Sequence, residues 1–358
     1  MIEYLTVSII CILITLFQKK KESALAYSFV ILTVFFAIRY NFGNDYSAYL
    51  MHFDLANEGS YADAFDSERF EKGWVILCRL CKPIGFFGMV IFLTIFENAV
   101  LYYFFRKYIP QNLYWLALFG YLFSTSLCLT GLSMMRQFLA ICVCLIAFDM
   151  AMARKIVLSI LLVLLAVQFH TTAYVCLPIC FIALIKDVRM SKRAAISFLT
   201  VLFFIYITAT YFFANLFVYV INESVFDKYE GRIGQDYKSI IGVSTFFQYY
   251  ILGIILFTQG KQKMTNRFLV LIFSLFMIID AFKPIAPLIS RVGLYFYILY
   301  PICMPNAIGK LSNTLIKKVT ILLLLLFGVY GCLSFILSPG WGNSFLVYKT
   351  IFSVNRWM

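Results

Sequence analysis

Long apolar runs, each close to the length of a bilayer-crossing helix, recur along the chain and are separated by short polar turns. They do not alternate with period two. Unpaired backbone groups are intolerable in hydrocarbon, so spanning segments are helices or closed barrels, and unalternating runs exclude the barrel. About twelve spans are predicted, near residues 3–18, 23–38, 86–105, 112–130, 132–150, 155–169, 172–186, 194–221, 243–259, 267–281, 287–306 and 319–337. The first has Glu3 before it and Lys19, Lys20 and Lys21 after it, the reverse of a secretory leader. It is expected to persist as an anchor with the N-terminus outside. Strict alternation then places Lys19–Lys21, Arg106 and Lys107, Arg154 and Lys155, Lys186–Arg193, Lys261–Arg267 and Lys310–Lys318 on one face, 17 of the 30 Lys and Arg. That is the positive-inside pattern. The stretch Gly73–Gly85 would break the parity as a span and is placed as an interfacial or re-entrant helix.

Composition agrees: 63% hydrophobic, 19% aromatic and 13% charged residues, with a mean hydropathy of +0.89, leave too little charge for a soluble surface. The expected fold is all-α, one polytopic membrane domain over 1–358. Two long outer loops stand out, 39–85 including the interfacial helix and 222–242, together with an outer tail, 338–358. Residues 39–73 carry seven acids against three bases. The net charge of +13 belongs beside anionic headgroups, and nucleic acid is not an expected partner.

Arg39, Arg136, His170 and Arg291 fall at the outer ends of separate spans. An Arg near a bilayer interior costs about 2.5 to 3.5 kcal/mol, so such residues usually line a polar cavity with something to compensate them. An anionic ligand bound from outside is the expectation. Arg136 is placed about five residues inside its span, roughly 7 to 8 Å deep, with Gln137 beside it. Gly43 permits a tight path between Arg39 and Asp45; Tyr46 and Tyr49 offer flat faces with hydroxyls. An Arg39–Asp45 interface pair is the structural alternative. Glu71 is either a helix cap or a site acid. His170 is an acid, base or phosphate donor, or only an interfacial residue. Arg291 has Tyr295 one turn deeper on its face, and Asp280 as an alternative ionic partner. The CxxC at Cys78 and Cys81 is read as packing. Two histidines, His52 and His170, and no outer DxD pair give no expected metal site and no cofactor.

The motifs RxxxGxDYxxY (Arg39–Tyr49), FExGW (Phe70–Trp74), MRQxxA (Met135–Ala140), FHxxA (Phe169–Ala173) and SRxxxYF (Ser290–Phe296), in this order, resemble the EpsG/Wzy family of bacterial polysaccharide polymerases. The tail departs from the pattern, reading LVYK at Leu346–Lys349 where a Pro is expected before the Tyr. The resemblance implies a GT-C-like polymerase/ligase architecture in the bacterial cytoplasmic membrane, with its site facing the periplasm or exterior. The implied donor and acceptor are oligosaccharide repeats on polyprenyl diphosphate, with the bilayer and a chain-length regulator as further candidate partners. Within it, Arg136 and Arg291 are expected to stabilise the leaving diphosphate and His170 to act as base. Arg39, Asp45, Tyr46, Tyr49, Glu71, Gln137 and Tyr295 are expected to bind substrate. An O-antigen ligase-type transferase needs the same arginines; a flippase or exporter would place cations near the midplane, and a membrane acyltransferase would centre on a His nearer the cytoplasm.

Overall fold

The first two apolar runs contain no Gly or Pro and fold as helices α1 (Ile2–Phe17) and α2 (Lys21–Ala37). They form an antiparallel hairpin, in which Ser28 Oγ donates to Cys11 O at 3.0 Å and Tyr4 faces Phe36 at 6.3 Å. The computed structural model describes residues 1–58, 70–124, 127–184, 191–208, 243–257, 266–281, 287–338 and 342–353. These divide into two compact units, Met1–Leu184 with Lys318–Met358, and Ile185–Lys317. The predicted loop 222–242 and the Asp280 side chain lie outside the described residues, as do Trp341 and Arg356 of the tail.

In the first unit α2 leads to strand β1 (Arg39–Tyr40), then α3 (Tyr46–Asn57), α4 (Lys72–Leu80), α5 (Gly85–Tyr108), α6 (Tyr114–Leu122), α7 (Cys128–Ser133), α8 (Met135–Met152) and α9 (Ile156–Val167). A 3-10 stretch, Thr171–Leu184, follows. The second unit holds α10 (Lys192–Thr208), α11 (Val243–Phe257), α12 (Asn266–Ala281), α13 (Pro287–Tyr297) and α14 (Tyr300–Gly309). Helix α15 (Thr314–Ile336) brings the chain back to the first unit, which closes with strand β2 (Lys349–Thr350).

Among the described residues four stretches are long and apolar enough to cross a membrane: Lys82–Tyr108, Met135–Met152, Arg291–Gly309 and Thr314–Ile336. Shorter apolar helices include Ile2–Phe17, Ile156–Val167, Thr171–Phe181 and Arg193–Thr208. Apart from β1 and β2 the described chain is helical, an all-α membrane protein. Several boundaries differ from the prediction. The run at 112–130 splits into α6 and α7, and the run at 287–306 into α13 and α14. Helix α8 starts at Met135 because Met134 adopts φ −95°, ψ 62°, outside the helical well. Within the run at 172–186 the described residues, to Leu184, form a 3-10 stretch with Pro178 inside it, a residue with no N–H for a helical ladder.

The first unit has two chemically different ends. At one, Arg106 at the foot of α5 lies 3.6 Å from Glu22 at the start of α2, and Lys107 Nζ lies 2.6 Å from Asp149 near the end of α8. The basic turns at Lys19–Lys21, Arg106–Lys107 and Arg154–Lys155 therefore share an end, as the alternating reading requires. At the other, β1 pairs antiparallel with β2, and Tyr348 stacks on Phe35 at 4.2 Å. Ile351 N donates to Ile38 O at 2.9 Å. The loop between β1 and α3 closes here over α7. Gly43 has φ +123°, and an added Cβ would lie 3.1 Å from Ser133 Cα, so both conformation and space call for glycine. Asp45 N donates to Ser133 Oγ at 3.2 Å, fixing the loop three residues upstream of Arg136.

In a cysteine-free background, single substitutions Lys20→Cys and Arg154→Cys are expected to react with an impermeant maleimide from one face of the membrane, and Ala48→Cys and Asn343→Cys only from the opposite face. Labelling of all four from one side would contradict the two-ended arrangement.

Candidate functional site

The site grows from α3 and α4. Tyr46, Tyr49, Phe53 and Ala56 make one buried stripe along α3, at the helical spacing that turns side chains toward a common neighbour. It packs on Trp74, Val75 and Cys78 of α4 and on Phe86 at the head of α5. The Tyr49 and Trp74 rings lie 5.4 Å apart, and Tyr46 and Phe86 meet edge to face at 5.3 Å. The last carbonyls of α3 are capped by cations, with Arg79 Nε donating to Ala56 O at 2.7 Å and Lys82 Nζ to Asn57 O at 3.2 Å. Cys78 and Cys81 are buried in this contact; burial pushes the Cys78 thiol up to about 12 and raises that of Cys81 as well.

Glu71 occupies the N-cap position of α4, where its carbonyl accepts Trp74 N at 3.0 Å and Val75 N at 3.3 Å. Its carboxylate makes no capping bond. Instead Oε2 pairs with Arg136 Nη1, and Oε1 accepts the Thr171 amide at 3.0 Å and the Thr171 hydroxyl at 3.2 Å. One carboxylate thus ties the start of α4 to the start of α8 and to the start of the Thr171–Leu184 stretch. Gly73 makes the approach possible, because a Cβ there would sit 2.6 Å from both Cβ and the carbonyl oxygen of Gln168.

Arg136 is held on several sides. Its guanidinium carbon lies 4.3 Å from the Phe70 ring centre and 6.0 Å from that of Tyr49, the cation–π range. His52 contacts the far end of this group, 4.1 Å from Phe70. Burial raises the Tyr49 phenol, and Arg136 pulls it back down; burial likewise raises Tyr46. The Arg136 and Glu71 side chains are 17% and 20% exposed. Exposed pairs contribute about 0–1 kcal/mol, whereas removing one member of a buried pair costs about 3–5 kcal/mol. This pair lies nearer the second case. Arg136 Nε is buried without a hydrogen-bond partner.

The expected depth of Arg136 needs correction. It is the second residue of α8, not five residues into a span, because the short α7 and the break at Met134 take up the residues read as its first turn. What makes its charge tolerable is Glu71. Gln137, its neighbour, is buried on α8. His170 is half-buried at the same end, its Nδ1 2.6 Å from Thr172 Oγ1.

Arg39 stands apart from this group. It is 2% exposed and donates from Nη1 to Phe36 O and to Thr94 Oγ1 at 2.8 Å; Glu97 is buried one turn along the same helix as Thr94. Tyr46 Oη donates to Arg39 O at 3.1 Å, anchoring α3 to β1. Asp45 is half-buried beside Ser133. Arg291 and Tyr295 belong to the second unit, where Arg291 is exposed and Tyr295 fully buried on α13. Among the described residues no three His, Cys, Asp or Glu side chains gather as a metal-holding group.

Sequence reasoning missed Phe70 as the platform for Arg136, the two donors of Thr171, and Thr94 with Glu97 beneath Arg39. Phe70 and Thr171 each adjoin a singled-out residue, Glu71 and His170. Glu97 was legible as an acid inside an apolar run, a rare placement that calls for a partner.

In detergent-solubilised protein, Arg136→Ala and Glu71→Ala are each expected to lower stability. The double variant is expected to lose less than their sum, a coupling of about 1 to 3 kcal/mol; strict additivity would show that the contact contributes nothing.

No curated protein and no solved structure matches the chain. A family model described as EpsG family matches residues 23–350, a range that holds every motif above. The chain belongs to the EpsG family.

Proposed function

We propose that the protein polymerises oligosaccharide repeat units carried on polyprenyl diphosphate, at the outer face of the cytoplasmic membrane, within a GT-C-like arrangement of about twelve spans. Membership of the EpsG family implies a polysaccharide-polymerase-like role. The observation that carries the finer reading is Arg136: a guanidinium at the end of the first unit opposite its basic turns, lying over the Phe70 ring and already holding an anion, the Glu71 carboxylate.

In the reaction the anomeric carbon of the growing glycan leaves its lipid diphosphate as a hydroxyl oxygen of the incoming repeat bonds to it. The electron pair of the broken C–O bond goes to the diphosphate. Negative charge grows there, and a planar, permanently charged guanidinium binds phosphate oxygens through paired N–H groups. Arg136 supplies that charge without an essential metal. Arg291, on α13, is a second guanidinium assigned to the diphosphate from its motif.

The acceptor hydroxyl gives its proton to His170. The contact between Nδ1 and Thr172 orients the ring; with Nδ1 protonated and Thr172 accepting, Nε2 is the basic atom. The half-buried Asp45 carboxylate supplies a sugar-binding group, whereas Tyr46, Tyr49 and Gln137 are buried and support the site.

Loss of one preorganised donor of this kind costs on the order of 100- to 1000-fold in rate. At matched membrane abundance, Arg136→Ala cells are expected to display single repeats in place of long glycan on a gel of surface polysaccharide, and Arg136→Lys, lacking the fork, is expected to recover little. Normal chain lengths in Arg136→Ala would defeat the assignment. His170→Gln is expected to slow elongation, and elongation is expected to continue in chelator.

A further inference from the structure

The carboxylate of Glu71 is surrounded by donors from elsewhere in the chain: Arg136 Nη1 on one oxygen, and the amide and hydroxyl of Thr171 on the other. That set of groups, a guanidinium with a backbone N–H and a side-chain O–H, is one that binds phosphate oxygens. The guanidinium carbon lies over the Phe70 ring, 4.3 Å from its centre, and the Nε–H is buried without a partner. A helix-capping role does not account for the carboxylate's position, since Glu71 sits at the N-cap of α4 yet turns its side chain away from the α4 amides.

We propose that Glu71 is a displaceable internal anion occupying the diphosphate's seat, and that Thr171 is a further diphosphate-binding residue. The inference rests on the reading of Arg136 given above. When the donor's diphosphate arrives, its oxygens replace those of Glu71 on Arg136 Nη1 and on the two Thr171 donors. No covalent bond changes in the exchange: one anion replaces another on the same donors. Glu71 keeps the seat neutralised while it is empty, and leaves α4 free to move relative to the start of the Thr171–Leu184 stretch when it is filled.

Such a device has a measurable consequence. An intramolecular competitor lowers apparent affinity by the fraction of molecules it leaves open. If the latch is closed in about 90 to 99% of molecules, its removal strengthens binding about 10- to 100-fold. A residue that merely helped to bind substrate would do the reverse on removal.

The test is titration of the purified full-length protein with farnesyl diphosphate, at fixed ionic strength and with chelator present, for wild type, Glu71→Gln, Arg136→Ala and Glu71→Gln/Thr171→Val. The expected result is measurable binding by wild type, about 10- to 100-fold tighter binding by Glu71→Gln, loss in Arg136→Ala, and weakening when Thr171→Val is added to Glu71→Gln. Binding to wild type that disappears in Arg136→Ala but is equal or weaker in Glu71→Gln overturns the exchange and leaves the Arg136 reading standing. Absence of binding to both wild type and Glu71→Gln overturns both. An unchanged affinity on adding Thr171→Val removes Thr171 from the seat. Ligand-induced rise in the thermal midpoint guards against a folding defect: a destabilised Glu71→Gln still recovers more on adding farnesyl diphosphate than wild type does, and a smaller rise counts against the proposal.

Discussion

A single ion pair, Glu71 with Arg136, holds together the end of the first unit where the motif residues gather. Its members are 65 residues apart in sequence, and the same carboxylate reaches Thr171, 100 residues from Glu71. Neither charge is cheap to leave alone at such low exposure, so the starts of α4, α8 and the Thr171–Leu184 stretch are constrained to meet. Other contacts follow from this one. Gly73 lets α4 touch Gln168, and the guanidinium lies over the Phe70 ring with Tyr49 also within cation–π reach. The loop carrying Asp45 is attached nearby through Ser133, immediately ahead of α8.

At the opposite end of the unit a buried acid, Asp149, makes an instructive contrast. Asp149 accepts Lys107 Nζ on both oxygens, at 2.6 and 2.8 Å, with Tyr108 on one oxygen and Tyr103 on the other. These donors belong to the last turns of α5, so the cluster clamps α5 to α8 beside the basic turns. Its anion is saturated by two phenols and one ammonium from a single helix. The Glu71 cluster joins three separate segments, is partly open to solvent, and keeps an unused N–H on Arg136. The first arrangement suits a fixed fastening, and the second suits an exchange of anions.

Much of the fold was legible because apolar length and basic turns are local properties of sequence. The α1–α2 hairpin, the long α5, α8 and α15, and the gathering of Arg106, Lys107 and Arg154 at one end follow from them. Where helices break inside an apolar run was not legible. Ser124–Ser126 after Leu122 and Gly131 and Ser133 before Met134 are short polar steps that average hydropathy passes over inside a long apolar run. That is why Arg136 was placed too deep. At the site, short motifs identified Glu71, Arg136 and His170 as residues of interest, but not that Glu71 and Thr171 would share a carboxylate contact with Arg136. Pairing across 65 or 100 residues leaves no periodic trace. Arg39 was placed in the outer turn with Asp45; Thr94, in the middle of an apolar helix, and the Phe36 carbonyl hold its guanidinium inward instead.

The most direct measurement is reaction of the purified protein, in chelator, with repeat units linked to polyprenyl diphosphate, following glycan length on a gel and free polyprenyl diphosphate together. A ladder growing by whole repeats, with one polyprenyl diphosphate released for each glycosidic bond formed, is the expected result. Repeats that remain single and fully lipid-linked, with no diphosphate released, would contradict the claim that this end of the protein handles a lipid-borne diphosphate as a leaving group.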